Sequence, residues 1–196
     1  ESLSVKGAAE LLKEKKAEEL FLQYGSASPD KFSGKDRKFL ADILRKGAAL
    51  AKDDDFIAHG LLSRSVSLDE NDAVLFQLAE VEIRLGQRGG ALEHLRRALE
   101  LNPKSGNAAL LLGIMLFEDR DLVGSEQALI KADKLRTPKA SEWLAKVRAA
   151  HAQNQKEEAE FQQKEAELRN RLDIARRAAV RDWLAKASAE AAKDDL

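Results

Sequence analysis

Cysteine is absent from this sequence of 196 residues. Its absence excludes disulfide bonds, thiolate catalysis and cysteine-ligated zinc, but it leaves the compartment open because cysteine-free proteins occur on both sides of a membrane. No apolar run approaches the roughly 18 residues of a membrane span, and residues 1–20 carry lysines and glutamates where a signal peptide needs an apolar centre. Since the chain begins at Glu1 and not at Met, we expect that a segment has been removed. Localisation stays unknown, with the cytoplasm slightly favoured over the periplasm.

An excess of either charge is also absent: 33 lysines and arginines nearly balance 34 aspartates and glutamates, and the formal net charge is −1. No global field therefore draws the chain to nucleic acid or to an anionic membrane, so we expect no nucleic-acid partner. Aromatic residues make up only 5% of the chain, which is typical of helices packed through alanine and leucine. With 44% hydrophobic and 34% charged residues, the composition excludes a wholly disordered chain.

Side-chain arrangements that would carry catalysis or bind a metal are lacking as well. His59, His94 and His151 fall on three different predicted helices, and none is followed three or four positions later by a second ligand. No serine lies in a nucleophile motif. The acidic runs at 53–55 and 69–72 are better explained as helix caps than as cation ligands, and the glycine pair at 89–90 as a turn within a repeat. We therefore predict no enzyme, no catalytic residue, no metal and no cofactor.

An internal repeat with a step of 34 residues organises the stretch 71–138. The pair Leu78-Ala79 recurs one step later as Leu112-Gly113. The same step relates Ala91 to Ser125, Leu95 to Leu129, and Ala98 to Ala132. Small residues at fixed places let two short helices approach closely, so each unit is predicted to be an antiparallel helical hairpin.

The repeated leucine and small-residue pair, the small residues and leucine of the second helix, and the closing Pro103 resemble the tetratricopeptide repeat. The resemblance implies an all-α solenoid of helical hairpins over 36–139, with a degenerate unit at 36–71 and clear units at 72–105 and 106–139. The segment 1–25 is predicted to hold one helix, over Val5 to Tyr24. Residues 140–196 contain neither proline nor glycine. They are predicted to form a capping helix that includes Trp143, followed by a long charged C-terminal helix.

The resemblance also implies a function. In this family, which includes co-chaperones and scaffolds, the first helix of each hairpin lines a concave face that binds a protein or peptide segment. The family's clamp for a terminal carboxylate is absent, because Gln77, Leu111 and Ala145 stand at its positions. We expect a non-enzymatic adaptor, in which the groove is filled either by a partner or by the chain's own terminal helix. The predicted partner-binding residues are Phe76, Glu80, Ile83, Arg84, Leu110, Ile114, Phe117 and Glu118.

The C-terminal helix offers a second surface, because its charges are segregated. Residues 156–168 hold two lysines and five glutamates, a net charge of −3, whereas 169–186 hold six basic residues and two aspartates, a net charge of +4. Apolar residues recur from Phe161 to Trp183 at steps of three and four. The alternative function is a structural oligomerisation module in which 156–196 pair with another copy, and contact with a membrane surface is less favoured. The residues predicted for this second surface are Arg176, Arg177, Arg181 and Trp183.

Overall fold

The computed structural model describes residues 3–194, and side chains as far as residue 188. Within those residues it contains nine α-helices, one short 3-10 turn at Pro29–Lys31, and no β-strand, which confirms the predicted all-α helical solenoid. The helices are α1 Val5–Lys13, α2 Ala17–Tyr24, α3 Gly34–Leu50, α4 Asp55–Leu68, α5 Asp72–Arg84, α6 Arg88–Leu101, α7 Gly106–Glu118, α8 Leu122–Lys134 and α9 Ala140–Asp194.

Two compact units divide the chain after Val147. The first holds helices α1 to α8 and the beginning of α9, and the second consists of the rest of α9. Inside the first unit, helices pair as α3 with α4, α5 with α6, and α7 with α8. At its C-terminal end, Leu144 and Val147 of α9 are buried together with Leu129 of α8.

Small residues hold the paired helices close together. A Cβ atom on Gly113 would come within 2.6 Å of Leu129 Cγ, so only glycine fits there without a shift of α8. One turn before Leu129, the buried Ser125 hydroxyl donates a 2.7 Å hydrogen bond to the Gly113 carbonyl. In the first hairpin, the buried Ser65 hydroxyl donates a bond of the same length to the Ala41 carbonyl of α3. These contacts explain why the small residues recur at fixed positions.

The predicted helix caps are present. The Asp54 carboxylate accepts hydrogen bonds from the amides of Phe56 and Ile57 at the start of α4, and the Asn71 side chain accepts one from the Val74 amide at the start of α5. These bonds satisfy amides that have no partner inside the helix. Both polar runs are therefore caps between helices, as expected from the sequence.

The prediction of a single N-terminal helix is wrong. Lys15 adopts a left-handed conformation with φ of 60°, and the Lys16 amide donates to the Leu11 carbonyl at 2.9 Å, which ends α1. The chain then turns back as α2, whose Tyr24 hydroxyl donates a 2.8 Å hydrogen bond to the Ser4 carbonyl. No glycine or proline marks this break. It forms because the two short helices bury Ala8, Leu20 and Tyr24 in the same core.

The same left-handed conformation occurs in the turns after α5, α7 and α8, where the sequence interpretation was again wrong. Gly86, Arg120 and Arg136 take φ values of 74°, 65° and 54°, each two residues after the end of its helix. The pair Gly89 and Gly90 is not a turn, because both residues lie in the first turn of α6. Only Gly86 of these three glycines has the left-handed conformation that makes the turn.

Candidate partner-binding surface

A groove between α5 and α7 brings together four of the eight residues predicted from the sequence. Phe76 and Glu80 lie one turn apart on α5, and Leu110 and Ile114 lie one turn apart on α7, so each pair faces the same way. The groove has a volume of about 270 Å³. Its full lining consists of Phe76, Glu80, Asn107, Leu110, Leu111 and Ile114.

A second groove, of about 380 Å³, lies between α3 and α5 and adjoins the first one. Glu80 lines both, so the two grooves follow one continuous surface across the first helices of three successive hairpins. We call the residues of both grooves the binding strip. The lining of the second groove is Arg45, Ala48, Ala49, Ala51, Lys52, Ala58, Leu62, Gln77, Glu80, Val81 and Arg84.

Two polar side chains of α5 lie where the grooves meet. The Oε1 atom of Gln77 is buried and has no hydrogen-bond partner, which is unfavourable in the free protein. One turn further along α5, the Glu80 side chain is exposed to solvent, and partial desolvation raises the pKa of its carboxyl although Arg84 opposes the shift. The binding strip therefore places one unpaired acceptor and one exposed carboxylate beside an apolar groove.

The basic side chains near Glu80 either form ion pairs with other residues or are exposed to solvent. Arg84 binds Asp55 through both Nε and Nη2, at 2.8 and 2.6 Å, which raises the pKa of Arg84 and lowers the pKa of Asp55. Arg45 binds Asp42 at 2.7 Å on its own helix. Lys52 is exposed to solvent. None of these side chains neutralises Glu80 directly.

The other predicted residues make contacts within the protein. Ile83 packs against the core between α5, α6 and α7, and Arg84 is held by Asp55 as described. Glu118 forms a 2.8 Å ion pair with Arg88, at the edge where α6 meets α7. The Phe117 ring packs edge to face against Trp143, with 6.1 Å between ring centroids. These four residues therefore do not line the α5–α7 groove.

The sequence of the central hairpins matches a known family. Residues 72–115, which span α5, α6 and most of α7, match the family model described as the tetratricopeptide repeat. Residues 72–115 therefore contain a tetratricopeptide repeat. No curated protein matches the sequence significantly.

Solved structures of MamA have a fold similar to that of this chain. One crystal structure of MamA superposes with a TM-score of 0.57 at 16% identity, covering 76% of this chain and 82% of MamA. Two structures of MamA AMB-1 give TM-scores of 0.54 and 0.53 at 20% and 17% identity. They cover 77% and 78% of this chain, and 82% and 89% of the MamA chains. At these identities the likeness concerns the fold alone.

One buried group of side chains was not recognisable from the sequence. Glu82 of α5 is only 4% exposed, and its carboxylate lies 2.8 Å from His94 Nδ1 of α6 and 3.5 Å from His59 Nε2 of α4. A Cβ atom on Gly90 would come within 2.9 Å of Glu82 Oε1, so that glycine leaves space for the carboxylate. The three side chains connect three consecutive helices, α4, α5 and α6. Spacing along the chain does not reveal them, because each residue lies on a different helix.

The described part of the chain shows neither a metal site nor a membrane-spanning helix. No three histidine, aspartate or glutamate side chains within it are placed to hold a metal ion, and this applies to the group around Glu82 as well. Across the same residues, no helix combines the length and the apolar character needed to cross a bilayer.

The predicted second surface lies on α9, in the second compact unit of the chain. Arg176, Arg177, Arg181 and Trp183 are all exposed. They do not form one face. Arg176 and Trp183 are seven positions apart and share one side of the helix, whereas Arg177 and Arg181 are four apart and share a different side.

Proposed function

We propose that this protein is a non-enzymatic adaptor that binds a segment of a partner protein along the binding strip. The observation that carries this proposal is the apolar groove between α5 and α7, which has the unpaired Gln77 Oε1 atom and the exposed Glu80 carboxylate at its edge. A partner segment that supplied donors and apolar side chains at once would pair these acceptors and bury the apolar surface. The use of the first helices of a tetratricopeptide array for such binding agrees with the resemblance described above.

The apolar part of the segment would occupy the α5–α7 groove. Phe76, Leu110 and Ile114 are partly buried, so each keeps some apolar surface in contact with water. A few large apolar contacts usually provide most of the energy of such an interface. We therefore expect the partner to insert large apolar side chains between α5 and α7.

The polar part of the segment would be basic. A cation placed against Glu80 favours the charged form of its carboxyl, which partial desolvation disfavours, and a charged N–H donor makes a stronger hydrogen bond than a neutral one. The neighbouring Gln77 Oε1 accepts a second N–H from the same side chain or from the partner backbone. The expected occupant is therefore a segment with a lysine or arginine next to large apolar residues.

A larger groove beside α6 is a weaker candidate. It has a volume of about 710 Å³ and is lined by Arg97, Glu70 and Glu100 among other residues. Arg97 already binds Glu70 at 2.8 Å and Glu100 at 2.9 Å, so these charges have partners within the protein. Exposed pairs of this kind contribute little and present no unmet group to a ligand.

The test uses random peptides displayed on phage and selected on the immobilised full-length protein. We expect the selected peptides to carry a basic residue flanked by large apolar residues. One such peptide is then synthesised with a fluorescent label, and its affinity is measured by anisotropy. Phe76→Ala and Glu80→Gln should each weaken binding about tenfold, the effect of roughly 1.4 kcal/mol. Glu93→Gln, which changes an exposed carboxylate on α6, is the matched control and should leave the affinity unchanged.

The proposal fails if the selected peptides lack a basic residue, or if Glu80→Gln binds them as tightly as the unaltered protein. The remaining alternative for the groove, occupancy by the terminal helix, makes a different prediction. In that case a chain ending at Gln155 binds the peptide more tightly than the full-length chain. Equal affinities of the two chains argue against competition by the terminal helix.

The affinity should also depend on pH. Because the pKa of Glu80 is raised by desolvation, its carboxyl takes up a proton at a higher pH than an ordinary glutamate does. As the pH falls through that raised pKa, the carboxylate loses its charge while a lysine or arginine of the peptide keeps its own. Binding should therefore weaken in mildly acidic buffer. In Glu80→Gln this weakening should be absent, and a similar pH profile in both proteins contradicts the assignment to Glu80.

A further inference from the structure

We propose that residues 156–186 of α9 pair in antiparallel orientation with the same residues of a second copy of this chain. This interaction surface is separate from the binding strip, and the inference does not depend on the adaptor function. Three observations carry it: an exposed apolar stripe, the segregation of charge along the helix, and the complementary sizes of the side chains that antiparallel pairing brings together.

The apolar stripe runs along one side of α9. Phe161, Leu168, Leu172 and Trp183 are 67%, 56%, 62% and 67% exposed. Their spacing places them on one side of the helix, because residues three, four and seven positions apart lie nearly above one another. Ala175 and Ala179 continue the same side between Leu172 and Trp183. A helix with large apolar side chains this exposed lacks the partner that would bury them.

The distribution of charge along α9 favours a second copy of the helix as the partner, in antiparallel orientation. Residues 156–168 have a net charge of −3 and residues 169–186 a net charge of +4. A parallel pair would place the acidic halves of the two copies side by side, and likewise the basic halves. An antiparallel pair places the acidic half of each copy beside the basic half of the other. The helix is therefore complementary to a reversed copy of itself.

One alignment also matches the sizes of the side chains. When Leu168 lies opposite Leu172 of the second copy, Phe161 lies opposite its Ala179, and Glu165 lies opposite its Ala175. Four leucines then form the centre of the pair, and on either side a large residue faces a small one. Glu165 also comes next to Arg176 of the second copy, which neighbours Ala175 in the sequence.

A membrane surface fits this helix less well. An interfacial helix has its basic groups around one apolar face and a net positive charge. Here Arg177 and Arg181 lie on a different side of the helix from Trp183, and the half that contains Phe161 is acidic. An anionic bilayer would repel that half.

The first test measures the molar mass of the full-length protein by light scattering during size exclusion. We expect the mass of an assembly with an even number of chains, and Leu168→Glu with Leu172→Glu should reduce it to that of one chain. Ile174→Glu is the matched control, because Ile174 is 60% exposed on the same helix but lies on the opposite side from the stripe. It should leave the mass unchanged. Circular dichroism of each variant checks that its helix content is retained.

The second test uses the absence of native cysteine to determine the direction of pairing. Glu165→Cys and Ala175→Cys are made in separate chains. Under mild oxidation, a mixture of the two proteins should form a disulfide between one chain of each kind, and each protein alone should form far less. A disulfide between two chains of the same variant indicates parallel pairing and overturns the proposal. If the mixture forms no disulfide, the alignment is wrong.

Two further results contradict self-pairing. A mass of one chain at every concentration shows that the stripe does not join copies of this protein. If such a monomer sediments with vesicles of phosphatidylglycerol and phosphatidylcholine, and Leu168→Glu with Leu172→Glu stops it from doing so, the stripe binds lipid instead.

Discussion

Gly113 allows the sharpest test of how the last hairpin is packed. A Cβ atom at this position would lie 2.6 Å from Leu129 Cγ, 2.9 Å from its Cδ2 and 3.3 Å from its backbone nitrogen. Leu129 is fully buried, and its Cγ atom is a branch point that does not move without shifting the whole side chain. Gly113→Ala must therefore separate α7 from α8 or force Leu129 out of its preferred conformation.

The expected cost combines two opposing effects. Overpacking of a core costs about 1 to 3 kcal/mol, and separation of the helices also weakens the hydrogen bond from Ser125 to the Gly113 carbonyl, by about 1 kcal/mol. Alanine is a better helix former than glycine and returns about 1 kcal/mol. The free energy of unfolding should therefore fall by about 1 to 3 kcal/mol. Gly89→Ala should instead raise it by about 0.5 to 1 kcal/mol, since a Cβ there meets nothing within 4 Å in the first turn of α6.

Urea denaturation followed by far-ultraviolet circular dichroism measures both changes. In a thermal melt the same differences correspond to about 2 to 4 °C for each kcal/mol. Adding Leu129→Ala removes the atoms that clash, so the cost of Gly113→Ala should largely disappear in that background. The reasoning is refuted if Gly113→Ala stabilises the protein as Gly89→Ala does, or if its cost is the same with and without the Leu129 side chain.

The remaining predictions concern a turn, a buried charge and an aromatic contact. Gly86→Ala should lower the free energy of unfolding by about 1 kcal/mol, because φ at this position is 74°. Arg120→Gly, at φ of 65° in the equivalent turn, should raise the free energy of unfolding by about a few tenths to 1 kcal/mol. The prediction is contradicted if the urea midpoints of the two variants move in the same direction. Glu82→Ala should cost about 1 to 3 kcal/mol because it leaves its two histidine partners without an acceptor, and an unchanged midpoint argues against a structural role. Phe117→Ala should cost about 1 kcal/mol or more from the lost contact with Trp143, and a melting temperature equal to that of the unaltered protein shows that the ring contact contributes nothing.

Phe76 and Phe117 have different roles, although both are predicted partner-binding residues. From the sequence, Phe76 and Phe117 look equivalent, since both are aromatic residues on first helices. The structure separates them, because Phe76 lines the α5–α7 groove and Phe117 packs on Trp143. A combined replacement of both would mix an effect on binding with an effect on stability. Phe76→Ala alone is the informative variant.

Much of the fold could be read from the sequence because the forces that specify it act over short distances along the chain. Capping by Asp54 and Asn71 depends on amides two or three residues away, and helical periodicity depends on neighbours within two turns. The close approach at Gly113 could also be predicted, because the 34-residue step places a small residue there in each unit. Local rules, repeated at a fixed step, therefore determined the all-α hairpin architecture.

Tertiary structure decided the features that depend on which helices meet. The break at Lys15 carries no glycine or proline, and it exists because α1 and α2 fold onto a common core. Glu82 is recognisable as a buried charge only when α4 and α6 bring His59 and His94 to it. In the same way, Glu80 became the centre of the proposed site because neighbouring helices desolvate its carboxylate while Arg84 is held by Asp55. Desolvation and the pairing of distant charges arise from the packing of helices, so a pattern along one helix does not contain them.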